Sequence, residues 1–266
     1  MSTNIPSTPE PDVLVEVDEN GIQLVTISRP DVLNALRPDT YLQLANAWRH
    51  AESAEVKAVV VTGAGRGFCA GMDLNAPLDE SLTRSERLRS IYHPHVEALI
   101  SLDKPIVAAV NGAAVGAGLA LAAAADVRVV STSAVFVPGF RAIGLAPDNG
   151  ASWFIPRILG YGRAARWLTT GNKIGADVAQ QWGLADEVVV PDSLVSTAKA
   201  IALSMSNAPG QSTPLTLSLL RRASWGEDYR HSLKRQLDLE AETLELAAVA
   251  PGRAEALKRM RLQLKR

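Results

Sequence analysis

The sequence predicts an α/β protein whose last third is helical, and three observations predict it. Two β-branched runs, "VKAVVVTG" and "PIVAAV", read as fully buried strands, because an unbroken apolar run of that length has no solvent-facing side. Each leads into small residues: "TGAGRGFCAGMDL" from Thr62 to Leu74, and "KPIVAAVNGAAVGAGLALAAAADVRV" from Lys104 to Val129. Beyond Asp148 the pattern turns helical almost throughout, with "DEVVV" as the one strand signal.

The elements follow in order. The first dozen residues, "MSTNIPSTPEPD", are rich in Ser, Thr and Pro and read as a disordered tail, so order begins near Val13. Alternation in "VLVEV" and "IQLVTIS" around Asn20-Gly21 predicts a hairpin, since that pair accepts the positive φ of a tight turn. A loop, "RPDVLNAL", precedes a helix from about Pro38 to Ala54, and another helix spans about Ser85 to Leu102. Gly116 and Gly118 open a short alanine-rich helix; "VRVVS" and "AVFV" are strands. Helices are expected from near Asp192, Pro214, Tyr229 and Pro251. The chain therefore divides into a tail over 1–12, an α/β core over 13–191 and a helical region over 192–266. Leu233, Leu237, Leu239, Leu244, Leu246 and Leu257 of that region can cover a partner subunit or fold back on their own core, and the pattern leaves both open.

At 266 residues, 47% hydrophobic and 21% charged, the chain is long enough for one sizeable core. A formal net charge of -1 supplies no field that would draw nucleic acid or an anionic membrane. One cysteine, Cys69, excludes an internal disulfide framework, and the N-terminus has no apolar signal core, so a cytoplasmic protein is expected. The uncharged run from Pro105 to Ala125 is mostly Ala and Gly and contains Asn111, which argues for a packed core and against a membrane span.

"GRGFCA" at Gly65 fits a dinucleotide fingerprint by letters, yet "MDLNAPLDE" behind it, with Asp73, Asn75 and Pro77, cannot launch the helix that would hold a pyrophosphate. His50, His93, His95 and His231 stand in no metal-ligand spacing, so no metal is expected. His93 and His95 flank Pro94 and read as surface or gap-filling rings beside a kink. The two glycine-rich stretches are better suited to leaving bare backbone amides that grip an oxyanion on a carbonyl substrate. Asp148, in "GLAPDNGASWF", reads alone as an N-cap. Its apolar company of Phe136, Phe140, Ile143, Leu145 and Trp153 would instead desolvate it and raise its pKa, as a general base needs.

Taken together, "ISRPDVLNAL", "VVVTGAGRGFCAGMDL", the stretch from Lys104 to Val129, "IGLAPDNGASWFIPRILG" and "GLADEVV" resemble the enoyl-CoA hydratase/isomerase, or crotonase, superfamily in order and spacing over roughly Val13 to Asn207. The resemblance implies a crotonase-like spiral of ββα units with a helical C-terminal trimerisation region, and self-association as a homotrimer or a dimer of trimers. It implies an acyl-CoA thioester substrate, with coenzyme A as part of that substrate and no separate cofactor. It places the oxyanion donors at the amides of Met72 and Ala117. Substrate contacts fall on Val32, Ala35, Ala70, Asp73, Leu74, His93, Ala114, Gly116 and Phe140.

The sequence departs from the hydratases at one decisive point. Where those enzymes hold water between two glutamates, this chain has Ala120 and Phe140, neither of which binds a proton. Asp148 remains, in a setting similar to the branch that isomerises dienoyl-CoA or ring-epoxide phenylacetyl-CoA, and "YHP" at Tyr92 to Pro94 fits the ring-epoxide branch. The expectation is an acyl-CoA isomerase with Asp148 as acid/base. Three alternatives stand beside it: a hydratase-like protein with weak or no hydratase activity, an aryl-CoA dehalogenase using Asp148 and His93, and a non-catalytic acyl-CoA binder. Phe140 replaces the dehalogenase's tryptophan.

Overall fold

A computed structural model describes residues 11–250 and 252–264. The strands are β1 (Val13–Val17), β2 (Ile22–Ile27), β3 (Ala58–Gly63), β4 (Gly67–Cys69), β5 (Ile106–Val110), β6 (Ala113–Val115), β7 (Val127–Ser131), β8 (Val135–Val137), β9 (Ile174–Gly175) and β10 (Glu187–Val189). The helices are α1 (Pro38–His50), α2 (Arg84–Arg87), α3 (His93–Ser101), α4 (Ala117–Ala124), α5 (Ala151–Leu159), α6 (Tyr161–Thr170), α7 (Ala176–Gln181), α8 (Leu194–Ser206), α9 (Ser212–Trp225), α10 (Tyr229–Ala248) and α11 (Arg253–Leu264).

Six strands form a sheet in the order β1-β2-β3-β5-β7-β10, parallel except for the β1–β2 hairpin. A smaller sheet runs β4-β6-β8-β9. Three successive pairs, β3/β4, β5/β6 and β7/β8, each give their first strand to the large sheet and their second to the small one, which makes the spiral. Of the small sheet only β8 was legible, as "AVFV", because β4, β6 and β9 are two or three residues long and lie in glycine-rich or helical-looking text. Such strands are held by neighbours and not by propensity. The uncharged run from Pro105 is divided among β5, β6 and α4, and among the described residues no helix is long and apolar enough to cross a membrane.

Of the residues read as a tail, the first ten lie outside the described residues. Asp12 does not behave as tail: it is buried and accepts hydrogen bonds from Arg37 Nε (2.7 Å) and Thr40 Oγ1 (2.5 Å). The expected helix from Ser85 is interrupted by a π turn, Leu88–Tyr92, where the His93 amide donates to Leu88 O. Pro94 has no amide to continue the ordinary ladder, so the irregularity sits just before it. His93 and His95 are buried, and the surface-ring reading of them fails.

One face of the large sheet shares a core with α1, α3, α4, α5 and α10, in which Trp48, Leu99, Leu119 and Phe154 are buried. The other face takes Leu194, Ala198 and Ala202 of α8 against Val60, Val107 and Val129. The C-terminal leucines divide: Leu233, Leu237 and Leu244 fold back into this core, while Leu239 and Leu246 stay exposed.

Candidate active site

Two glycines in left-handed backbone prepare two free amides. Gly71 (φ 84°) precedes Met72, and Gly116 (φ 52°) precedes Ala117, the first residue of α4. In the first turn the Gly71 amide turns to the Cys69 thiol and the Asp73 amide donates to Leu36 O at 2.9 Å. The Met72 amide between them has no protein acceptor among the described residues. The Ala117 amide opens a helix and so has no acceptor within it. The turns touch: a Cβ on Gly71 would stand 3.4 Å from Ala117 N. Ala117 is buried and Met72 half-buried, so an oxygen held here would be largely shielded from water. The Cys69 thiol beneath is pushed up to about 12 by burial and is not a nucleophile.

Asp148 lies at the start of α5, which packs on α4, and it is 3% exposed. Its carboxylate does not cap that helix. It accepts one hydrogen bond, from Asn149 Nδ2 at 2.8 Å, and burial raises its pKa to about 6 against the opposing pull of that bond. Asn149 takes φ 54°, an uncommon conformation for a side-chain-bearing residue, and the turn continues into Gly150 at φ 83°.

The amides that Asp148 was expected to cap belong to another residue. Glu240 of α10 accepts from Gly150 N (2.9 Å), Ser152 N (3.1 Å) and, in a short contact, Ser152 Oγ. Burial, with Asp148 adding to it, raises Glu240 to about 8, although its bonds to Ser152 and Gly150 pull the other way. Tyr41 and His95 complete the surroundings, with ring centroids 5.2 Å apart. The Tyr41 hydroxyl is held well above its ordinary range, first by burial and then by the charge of Asp148. Burial takes His93 and His95 down to about 4, so both are neutral. His95 is the ring near Asn149; the charged groups near His93 are Asp238 and Arg89.

The two loops expected to hold the coenzyme are joined by hydrogen bonds. Ala70 N donates to Leu33 O (2.9 Å), and Leu36 N to Gly71 O (2.7 Å). Arg29 bridges them, reaching Ala35 O at 2.5 Å and Asp73 Oδ2 at 3.0 Å. Val32 is exposed, Ala35 buried, and Ala70, Asp73 and Leu74 half-buried on this seam. Arg261 of α11 donates to Leu74 O (3.0 Å). Ala114 is fully buried in β6 between Cys69 and Phe136. Phe140 is buried with its ring edge 3.8 Å from where a Cβ on Gly116 would lie, and Ala120 is buried in α4. Surface clefts of about 580 Å³ near Lys57 and Gln211 and about 520 Å³ near Arg66 and Pro191 lie elsewhere. Neither contains a buried acid, and the site is assigned by chemistry and not by cavity size.

Sequence reasoning missed Glu240, Asn149, Tyr41 and Arg29. Asn149 alone carried a local signal, as the residue between a candidate acid and a glycine; the rest arrive from distant elements.

An enoyl-CoA hydratase/isomerase family model matches residues 17–254, and the chain belongs to that family. It is 36% identical over 234 residues to 1,2-epoxyphenylacetyl-CoA isomerase of Escherichia coli, covering 86% of this chain and 87% of that one. It is 44% identical over 177 residues to a probable enoyl-CoA hydratase of Rhodobacter capsulatus, covering 66% and 68%. The crystal structure of an enoyl-CoA hydratase/isomerase from Pseudoalteromonas atlantica superposes with a TM-score of 0.84 at 26% identity, over 95% of this chain and 97% of that one. The fold is therefore the crotonase spiral with a helical C-terminal region.

Proposed function

We propose that the protein is an acyl-CoA isomerase that moves a proton through a thioester enolate. The observation that carries this reading is one buried carboxyl, Asp148, raised to about 6 and free of its own helix, in a core that also brings the Met72 and Ala117 amides together. Asp148 would remove a proton beside the carbonyl or its vinylogue and return it at the far carbon. The two amides would hold the enolate oxygen meanwhile, a contribution of about 3 kcal/mol for each such donor. Coenzyme A enters as part of the substrate, along the seam between Leu33–Leu36 and Ala70–Leu74.

The similarity to an epoxyphenylacetyl-CoA isomerase supports isomerisation, and the similarity to a probable hydratase keeps the second reading in view. Ala120 and Phe140 argue against water addition, since neither can activate water. The dehalogenase reading needs an imidazole working with Asp148, and the charges around His93 are Asp238 and Arg89. A homotrimer or a dimer of trimers is the assembly this reading expects.

The test is Asp148→Asn assayed on Δ3-enoyl, dienoyl and ring-epoxide thioesters. Loss of turnover with binding retained is expected, and unchanged turnover removes Asp148 from the chemistry. Calorimetry on the parent separates a pure binder, which would hold acyl-CoA and convert none.

A further inference from the structure

We propose that Glu240 is a positioning residue for Asp148: by occupying the Gly150 and Ser152 amides at the start of α5 it prevents the carboxylate from capping its own helix and leaves it turned toward the thioester site. The inference rests on the isomerase reading for its consequence, and on geometry for its substance.

An aspartate's ordinary local partner is the amide two residues on, the Asx turn, and next the amides of a helix that starts just after it. For Asp148 these are Gly150 N and Ser152 N. Both donate to Glu240, through Oε2 and Oε1 respectively, from a helix 90 and 88 residues away in the chain. The grip has two points on α10, because Gln236, one turn earlier, donates from Nε2 to Ser152 Oγ at 2.8 Å. Glu240 is itself 3% exposed, so water does not compete for those amides. The result is a turn in which Asn149 and Gly150 both hold positive φ and Asp148 is left with the Asn149 amide as its hydrogen-bond partner. A strained turn of this kind persists only when its surroundings over-determine it, and Glu240 supplies that constraint from outside the α/β core.

The titratable groups around Asp148 are Tyr41 from α1, Tyr92 from the π turn, His95 from α3, held neutral by burial, and Glu240 from α10; none is cationic. Removing Glu240 frees the two amides, and Asp148 then has a helix terminus within its local reach. Capping would stabilise its anion and draw it from the acyl site.

The experiment compares parent, Glu240→Ala and Glu240→Gln by carboxyl carbon-13 NMR titration of Asp148, assigned with Asp148→Asn, and by pH–rate profiles. In Glu240→Ala the Asp148 titration and the acidic limb of the profile are expected to move down together by about one pH unit or more. There kcat is expected to fall at least about tenfold with KM nearly unchanged, since the lost interaction concerns the reacting proton. Glutamine keeps one acceptor oxygen and should restore part of both. An Asp148 titration and acidic limb unmoved in the variants would overturn the proposal and reduce Glu240 to a structural cap. If Glu240→Ala does not fold, Glu240→Gln decides, because its NH2 end cannot accept and one of the Gly150 and Ser152 amides is then left free for Asp148. If the parent converts no thioester, the isomerase reading falls, and the NMR titration alone still supports or overturns the hold of Glu240 on Asp148.

Discussion

A Cβ added to Gly71 would stand 2.7 Å from Val115 O and 3.4 Å from the amide nitrogen of Ala117, so the turn that bares the Met72 amide lies directly against the turn that bares Ala117's. Neither turn makes an oxyanion site alone. In the proposed mechanism their contact would let two amides from residues 45 positions apart hold one oxygen.

Gly71→Ala should therefore damage catalysis and lower stability together. The backbone there is left-handed at φ 84°, and the new methyl meets a carbonyl that belongs to β6 and cannot swing aside. A drop in kcat of about 100-fold, the loss expected for one oxyanion donor, should accompany a nearly unchanged circular dichroism spectrum. Steady-state kinetics that match the parent would show that the amide pair does not act on the thioester oxygen.

Asp148 carries a stability consequence with a definite sign. Its folded pKa is raised from 3.8 to about 6, so the folded protein holds that proton more tightly than the unfolded chain. The associated stability is full below pH 3.8 and is lost as pH rises through about 6. Asp148→Asn escapes that loss. Urea denaturation should show the variant gaining on the parent between pH 4 and 6, by about 3 kcal/mol in total, with the difference constant above. A pH-independent difference would mean that the carboxyl is not desolvated.

Activity should follow the same group. A base that titrates near 6 is charged above that pH, so kcat/KM should fall tenfold per unit below about 6. The limb should vanish with the residual activity of Asp148→Asn. A limb near 4 would place the acid in solvent.

Arg29 connects the two loops proposed to hold the coenzyme through Ala35 O and Asp73, with only 16% of its side chain exposed. Arg29→Ala should raise Kd for a thioester about tenfold, the effect of losing a charge-assisted bond, with kcat changed little. Calorimetry against coenzyme A and the full thioester measures this, and equal affinity in both proteins would detach the salt bridge from binding.

Leu215, Leu219 and Leu220 of α9 are exposed, Leu219 at 69%, on a helix whose other face contacts the subunit through Leu217. Leu219→Lys should lower the molecular mass measured by light scattering if this stripe is covered in an oligomer. A parent that is already monomeric, or a variant of unchanged size, would rule out the stripe as the interface.

The α/β class, the long strands of the large sheet, the helical C-terminal region and the two glycine turns before Met72 and Ala117 were determined by sequence alone. Each rests on local chemistry: β-branched runs, apolar periodicity, and glycine where φ must be positive. Asp148 as the candidate acid was legible too, because the carboxylates that the resemblance called for are absent at Ala120 and Phe140. Tertiary structure decided the rest. The two- and three-residue strands β4, β6 and β9 exist only because neighbours pair with them. Whether Asp148 caps a helix or stands free depends on Glu240, roughly ninety residues away on α10, and no local pattern encodes a partner at that distance. The same holds for the imidazole near the acid. His93 and His95 are two residues apart and indistinguishable as text, and the packing of α3 against α1 puts the His95 ring 5.2 Å from that of Tyr41.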